Sequence, residues 1–398
     1  MGSATDPPIM FDPSTDGFME DPYPHYAELR RHVPVHEHPA GFWMLSRYAD
    51  VEALLRSGLS VEKPRASDGS GRSRPPRLKG LALIDLDPPA HTRLRRLVSQ
   101  AFTVRAVGAV EPLVRKLVDD ALTALARDGG GDLVEQLAFP LPFTVITRIL
   151  GMPPLDTVRL RTLTRLVVSL GETGGGPDNK KTIADADAEM VELVSDAISR
   201  KRRERGDDLL TALIDAEDHG DRLSHDELVA QVTMLYVAGY ETTVNLISGG
   251  ALALLRNPDQ LRLLRSDPDL AHNAIEEILR HDPPVHVNRR FTLEPYRVGD
   301  REIPAGTMVL ANLASANRDE DFWSPDAEHL RLDRENARRH LSFGGGAHYC
   351  LGGSLARIQG RIAVGELARR FPGLEQDGEV VWNGMLGLRG AARLPVRV

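Results

Sequence analysis

The sequence predicts a mainly α protein with a small β region. Three observations carry that expectation. Apolar residues recur at helical spacing in segment after segment. One stretch, 224–256, opens on a capping signal, runs uninterrupted and is apolar on both faces. Strand-like patterning is confined to short stretches, 41–45 and 296–313.

The elements follow in chain order. The first residues, about 1–15, carry no basic start followed by an apolar run and are expected to be flexible. Helical spacing appears over 22–31 and 49–56, with a strand at 41–45 between them. The polar, Gly/Pro-rich stretches 66–79 and 172–182 are expected as mobile loops, either of which suits a lid. Asp87-Pro88-Pro89 opens a helix over 90–102, because proline fits the first turn. Helices are expected over 107–127, 133–150, 185–204, 261–266 and 270–281. The pairs 296–298 and 301–303 around Gly299-Asp300 read as a hairpin, and Pro304-Ala305-Gly306 turns the chain into a strand at 308–313. In the long helix, Ser224 followed three residues later by Glu227 is a capping box, and nothing stops the run before Asn257-Pro258. At 1.5 Å per residue it is roughly 48 Å long. Such a helix, interrupted only by Gly239 and Gly249-Gly250, is expected to cross the centre of the protein.

Composition narrows the function classes. The 398 residues are 41% hydrophobic and 27% charged, ordinary for a globular chain that buries a core without staples. A net charge of −8 argues against generic nucleic-acid binding. The most apolar window, 234–255, holds Glu241, Thr242, Thr243 and Asn245 at its centre, which a membrane span would not tolerate. A cytoplasmic protein without membrane attachment is expected. The single cysteine, Cys350, excludes an intramolecular disulfide, a multi-cysteine zinc site and an iron–sulfur cluster.

Cys350 sits in Phe343-Gly344-Gly345-Gly346-Ala347-His348-Tyr349-Cys350-Leu351-Gly352, just before a helical run over 353–371. The glycines let the backbone approach something large and flat. Backbone N–H groups at the helix start favour a thiolate. Such a thiolate suits the iron of a haem. A nucleophile served by His348 and an inert buried thiol are the rival readings. His-x-Cys supplies too few ligands for zinc.

This segment resembles the cysteine loop of the cytochromes P450, Phe-x-x-Gly-x-x-x-Cys-x-Gly, at Phe343, Gly346, Cys350 and Gly352. Three further segments resemble the family in order and spacing. Ala238-Gly239-Tyr240-Glu241-Thr242-Thr243 is similar to its oxygen-activating segment, although Tyr240 departs from the usual residue. Glu277-Ile278-Leu279-Arg280, with Arg334, is similar to its buried Glu–Arg–Arg core. Asp87–Arg96 is similar to its haem-binding helix.

The resemblance implies one P450 domain over 1–398, with the central helix over a haem b and the cysteine loop on its proximal side. Cys350 is then the axial iron ligand. His91, Arg95, Arg290 and His348 clamp the propionates, and Phe343, Gly344, Gly352 and Ala356 line the ring. Gly239 leaves room for O₂ beside Ala238. Thr242 bonds back to Ala238 and holds a water, and Glu241 relays protons. The substrate pocket takes Leu83, Met234 and Val237 from one side and Val285, His286, Val287 and Leu388 from the other, with His286 and Asn288 as polar points. The implied activity is O₂-dependent hydroxylation or epoxidation of a small to medium organic molecule, such as a secondary metabolite, free or bound to a carrier protein. The chain shows no flavin or nicotinamide segment, so electrons come from a separate ferredoxin and its NAD(P)H-dependent reductase, docked on Arg93 and Arg96. A peroxygenase, an aryl-coupling enzyme, an isomerase and a non-catalytic haem sensor are the alternatives. The Glu241–Thr242 pair favours O₂ activation over peroxide use.

Overall fold

The computed structural model describes residues 9–62, 80–99, 102–152, 158–164, 166, 177–218, 223–324 and 326–398. Its axis is the helix His225–Arg256. Ser224 Oγ accepts from the Glu227 N–H at 3.1 Å, and the Ser224 N–H donates to Glu227 Oε2 at 2.8 Å, so the capping box forms. Every residue from Tyr240 to Leu254 except Thr242 is buried. A helix this evenly buried needs partners all round. It packs on the helices Pro140–Leu150, Pro177–Arg203, Ala271–His281 and Gly353–Arg370.

The β region holds a four-stranded sheet in the order Val35–Glu37, Phe42–Leu45, Met308–Asn312, Val287–Phe291. Phe42–Leu45 runs parallel to Met308–Asn312, and Val287–Phe291 runs antiparallel to it, with Arg290 opposite Val309. The hairpin Tyr296–Val298 with Arg301–Ile303 forms as expected. The strands Val35–Glu37, Gly130–Asp132, Val287–Phe291 and those beyond residue 374 escaped the sequence reading. At two to five residues each, they carry too few alternations to register.

Several boundaries move for identifiable reasons. The helix expected over 107–127 is two, Val104–Gly108 and Glu111–Asp128, because Pro112 starts a new first turn. The stretch 133–150 splits into a π-turn, Val134–Ala138, and the helix Pro140–Leu150, because Pro140 cannot continue the preceding ladder. The helix expected over 185–204 begins at Pro177, so 177–182 is helical rather than loop. The rest of that loop, 172–176, and the loop 66–79 lie outside the described residues. A helix at Leu209–Asp218 went unread. Within the N-terminus Phe11 is anchored, 4% exposed with its ring against Phe18, Tyr26 and Phe42, while 13–17 are exposed; the expectation of flexibility is corrected at Phe11 alone.

Beneath the cysteine loop lies a buried ionic core. Glu277 takes both oxygens to Arg280, at 2.7 Å each, and accepts from Arg334 Nε at 3.1 Å. Arg280 spends its remaining donors on the carbonyls of Asn317, Ala327 and His329. Arg334 does the same with Trp323, Asp326 and His329. Two guanidiniums are tolerable in the interior only with their hydrogen bonds filled. The cluster fixes the meander 323–334 against the helix Ala271–His281. No helix among the described residues is long and apolar enough to cross a membrane.

Candidate active site

The cysteine loop is built by two left-handed glycines, Gly344 (φ +71°) and Gly346 (φ +63°). A Cβ on Gly346 would also stand 2.7 Å from the Leu55 carbonyl oxygen. Positive φ and that close approach leave room only for glycine. The Cys350 N–H closes the loop on the Phe343 carbonyl at 2.9 Å. Gly352 is the N-cap of the helix Gly353–Arg370, so the cysteine stands at a helix start. Cys350 is exposed as a residue, yet protein atoms crowd its sulfur, and that desolvation pushes the thiol up. The Gly352 N–H and the charges of Arg357 and Arg95 pull the other way. A cation at the sulfur would complete what these groups begin.

Beside the loop, four basic side chains converge from three elements. His91 and Arg95 share a face of the helix Ala90–Ser99, Arg290 comes from the sheet, and His348 from the loop. The His91 and His348 rings lie 4.2 Å apart. Arg95 Nη2 donates to the Tyr349 carbonyl at 2.7 Å. Arg290, 2% exposed, donates to Asn288 Oδ1 and the Arg289 carbonyl at 2.8 Å each. Asn288, expected to face the substrate, thus holds Arg290. Burial, reinforced by His91 and Arg290, drives His348 down to about 4. The nearby carboxylate, Asp87, is bonded to Ser60 and the Val61 N–H. His91 Nε2 is buried without a hydrogen-bond partner. A buried imidazole nitrogen without a partner, beside the guanidiniums of Arg95 and Arg290, suits an anionic acceptor. With Cys350 next to it, this donor set fits the carboxylates of a haem, whose iron would hold the sulfur as a thiolate against its desolvation.

On the central helix, Thr242 Oγ1 donates to the Ala238 carbonyl at 2.9 Å, one turn back. Ala238 is exposed and Val237, Gly239 and Thr242 around it are half-buried, whereas 243–254 are buried, so the helix is open to one side at this turn. Glu241 is 3% exposed. Gly239 corrects the sequence reading. Its missing Cβ points at Ile146, 3.1 Å from Cδ1, so the glycine serves helix packing rather than room for O₂. Tyr240 turns away as well, edge-on to Phe139 at 5.5 Å and to Phe143 at 6.2 Å.

The pocket residues divide. Met234, Val237, Val285, Val287 and Leu388 are half-buried, and Leu83 is buried. Asn245 Nδ2 donates to the Leu388 carbonyl at 3.1 Å, pinning to the central helix the turn between the paired strands Val381–Trp382 and Ala391–Arg393. His286 belongs elsewhere. Its Nδ1 meets Tyr26 Oη at 3.2 Å, and its ring packs on Tyr23 and Tyr26, which removes it from the pocket. Arg93 pairs with Glu227 of the capping box and is not an open docking residue. Three participants escaped the sequence reading. Arg161 grips Glu135, covers the Phe139 ring at 4.1 Å and feels the charge of Glu241. Glu276 joins Arg357 to His340 beneath the loop. Gln231, the third, is one of several polar residues on the apolar run 228–255, and it is 0% exposed.

The chain matches the family described as "Cytochrome P450" over residues 177–387. It is 41% identical to a vitamin D(3) 25-hydroxylase of Pseudonocardia autotrophica, covering 95% of this chain and 94% of that one. It is 37% identical to the 6-deoxyerythronolide B hydroxylase of Saccharopolyspora erythraea, over 97% and 98% of the two chains. Among solved structures, P450BioI in complex with an acyl carrier protein ligated to hexadec-9Z-enoic acid superposes with a TM-score of 0.89 at 28% identity, covering 97% of this chain and all of that one. Fold, loop and relatives agree: the chain belongs to the cytochrome P450 family, and it is a haem-thiolate monooxygenase.

Proposed function

We propose that this monooxygenase hydroxylates a neutral, bulky and largely apolar molecule, as a tailoring step on a bacterial secondary metabolite. The observation that carries this reading is the apolar character of the pocket side chains left once His286 and Asn288 turn to other partners. A charged substrate would find no partner among Leu83, Met234, Val237, Val285, Val287 and Leu388. The named activities of the two hydroxylases above, on vitamin D(3) and on 6-deoxyerythronolide B, support hydroxylation of a neutral molecule.

Cys350 ligates the iron. His91, Arg95, Arg290 and His348 hold the propionates, with His91 Nε2 taking the acceptor it lacks. Phe343, Gly344, Gly352 and Ala356 line the ring. Bound there, haem b supplies the iron at which O₂ is reduced and one oxygen atom passes to substrate. Thr242 keeps its own proton on the Ala238 carbonyl, so its oxygen lone pairs are free to hold a water at the groove. Glu241, buried behind it, passes protons to that water. Electrons arrive from a separate ferredoxin with its NAD(P)H-dependent reductase, which places the reaction in the cytoplasm. Arg96, exposed on the helix Ala90–Ser99, belongs to the docking face on this reading. A carrier-bound substrate is the second reading, favoured by the carrier complex of P450BioI.

The test begins with the carbon monoxide spectrum of the dithionite-reduced protein. A strongly red-shifted Soret band in the wild type, lost in Cys350→Ala, is expected. The same band in the variant would overturn the ligand assignment. Turnover with a surrogate ferredoxin is then measured on a panel of macrolactones, secosteroids and fatty acids, free and carrier-linked. Product from the charged, free fatty acids alone would overturn the substrate class.

A further inference from the structure

Gln231 is fully buried in the central helix, where its amide needs hydrogen-bond partners. Its side chain reaches about 150 residues back along the chain. Oε1 accepts from the Leu83 N–H at 2.9 Å, and Nε2 donates to the Leu81 carbonyl at 2.5 Å. The two bonds dock the backbone of 81–83 onto the helix, as an added strand would. A few residues on, Asp85 meets Arg289 at 3.5 Å, and Asp87 accepts from the Val61 N–H at 2.9 Å. Ser60 and Phe291 form a bridge at that end. Residues 81–87 are therefore a strap strung between the central helix and the strand Val287–Phe291, and Leu83 is carried on it.

We infer that Gln231 is a positioning residue for substrate size: it fixes how close the strap, and Leu83 with it, stands to the bound molecule. The inference rests on Leu83 being a pocket wall. Without Gln231, the buried Leu83 N–H and the half-buried Leu81 C=O lose their partners, and the free energy of leaving them dry drives 81–83 outward toward water. The far anchor at Asp87 stays tied, and with it His91 and Arg95 beyond. Loosening at one end then widens the pocket and leaves the haem clamp unchanged.

The experiment uses the full haem-loaded chain as wild type, Gln231→Leu, Gln231→Glu and Leu83→Ala. Each ferric protein is titrated with imidazole and with ketoconazole, and dissociation constants are read from the Soret shift. In Gln231→Leu, imidazole affinity stays within about twofold and ketoconazole binds at least about fivefold tighter. Leu83→Ala moves the ratio in the same direction. An unchanged ratio in Gln231→Leu beside a shifted one in Leu83→Ala overturns the role of Gln231. No shift in Leu83→Ala overturns the pocket reading, and the inference with it. Equal changes for both azoles signal general damage and also overturn it. Should Gln231→Leu fail to hold haem, Gln231→Glu decides: it keeps the size and the bond from Leu83, so a smaller shift of the same sign is required.

Discussion

The Cα of Gly239 faces the side chain of Ile146 so closely that a methyl group there would stand 3.1 Å from Cδ1 and 3.2 Å from Cγ1. The central helix and Pro140–Leu150 meet at this point. Gly239→Ala gains about 1 kcal/mol of helix propensity and meets about 1–3 kcal/mol of overpacking. A net destabilisation is expected. Ile146→Val removes the nearer atom, so the double variant recovers most of that loss. Denaturant unfolding of the four proteins gives the coupling directly. Additive effects would show that the contact is slack, and the glycine would then return to the oxygen groove.

Thr242 and Thr243 differ in where their hydroxyls sit rather than in what they bond. Each donates to a carbonyl one turn back, at 2.9 and 3.3 Å, but Thr242 borders the groove and Thr243 is 3% exposed. Thr242→Ala retains haem and loses about tenfold in product formed per reductant oxidised, with peroxide rising to match. Thr243→Ala changes coupling by less than about twofold. Equal behaviour of the two variants would remove Thr242 from proton delivery.

These residues also show what a sequence discloses. Cys350, Thr242 and Glu277 were legible because their chemistry is local, set by a loop or one helical turn. The capping box at Ser224 was legible for the same reason. Gly239 was found for the wrong reason, because nothing near it in the chain names Ile146. His286 looked like a pocket residue until Tyr26, 260 positions away, claimed it. Gln231 went unread, because its partners at Leu81 and Leu83 are fixed only by the packed fold. Short strands were missed because sheet partners, not alternation, make them strands.

Arg93 and Arg96 lie three apart on one helix and were expected to act together. Arg93 instead closes on Glu227, 17% exposed, at the start of the central helix. Arg93→Ala is expected to cost less than about 1 kcal/mol of stability and to leave ferredoxin-driven reduction unchanged. Arg96→Ala slows reduction at low ionic strength, and the difference fades as salt is added. Stopped-flow reduction with a surrogate ferredoxin at two salt concentrations separates the two. A slowed, salt-sensitive Arg93→Ala would restore the original docking pair.

Glu276 makes the acid limb of stability predictable. Burial works to raise its carboxyl, but the hydrogen bonds from His340 at 3.1 Å and Arg357 at 2.7 Å, with the Arg357 charge, hold it at about 2. A carboxyl depressed in the folded state stabilises above its ordinary value of 4.5, and that contribution is lost as pH falls from there toward 2. The shift corresponds to roughly 3 kcal/mol. His340, held below its ordinary value chiefly by burial, adds a loss of the same sign that begins at higher pH. Glu276→Gln lacks the charge at every pH. Its unfolding free energy therefore lies well below that of the wild type at pH 6, the gap narrows below pH 4.5, and the two curves converge only as the pH approaches 2. Far-UV circular dichroism in urea at stepped pH measures both. Parallel curves would mean that the Glu276–Arg357 pair contributes nothing that depends on ionisation, and that the loop is held from below by the Glu277 core alone.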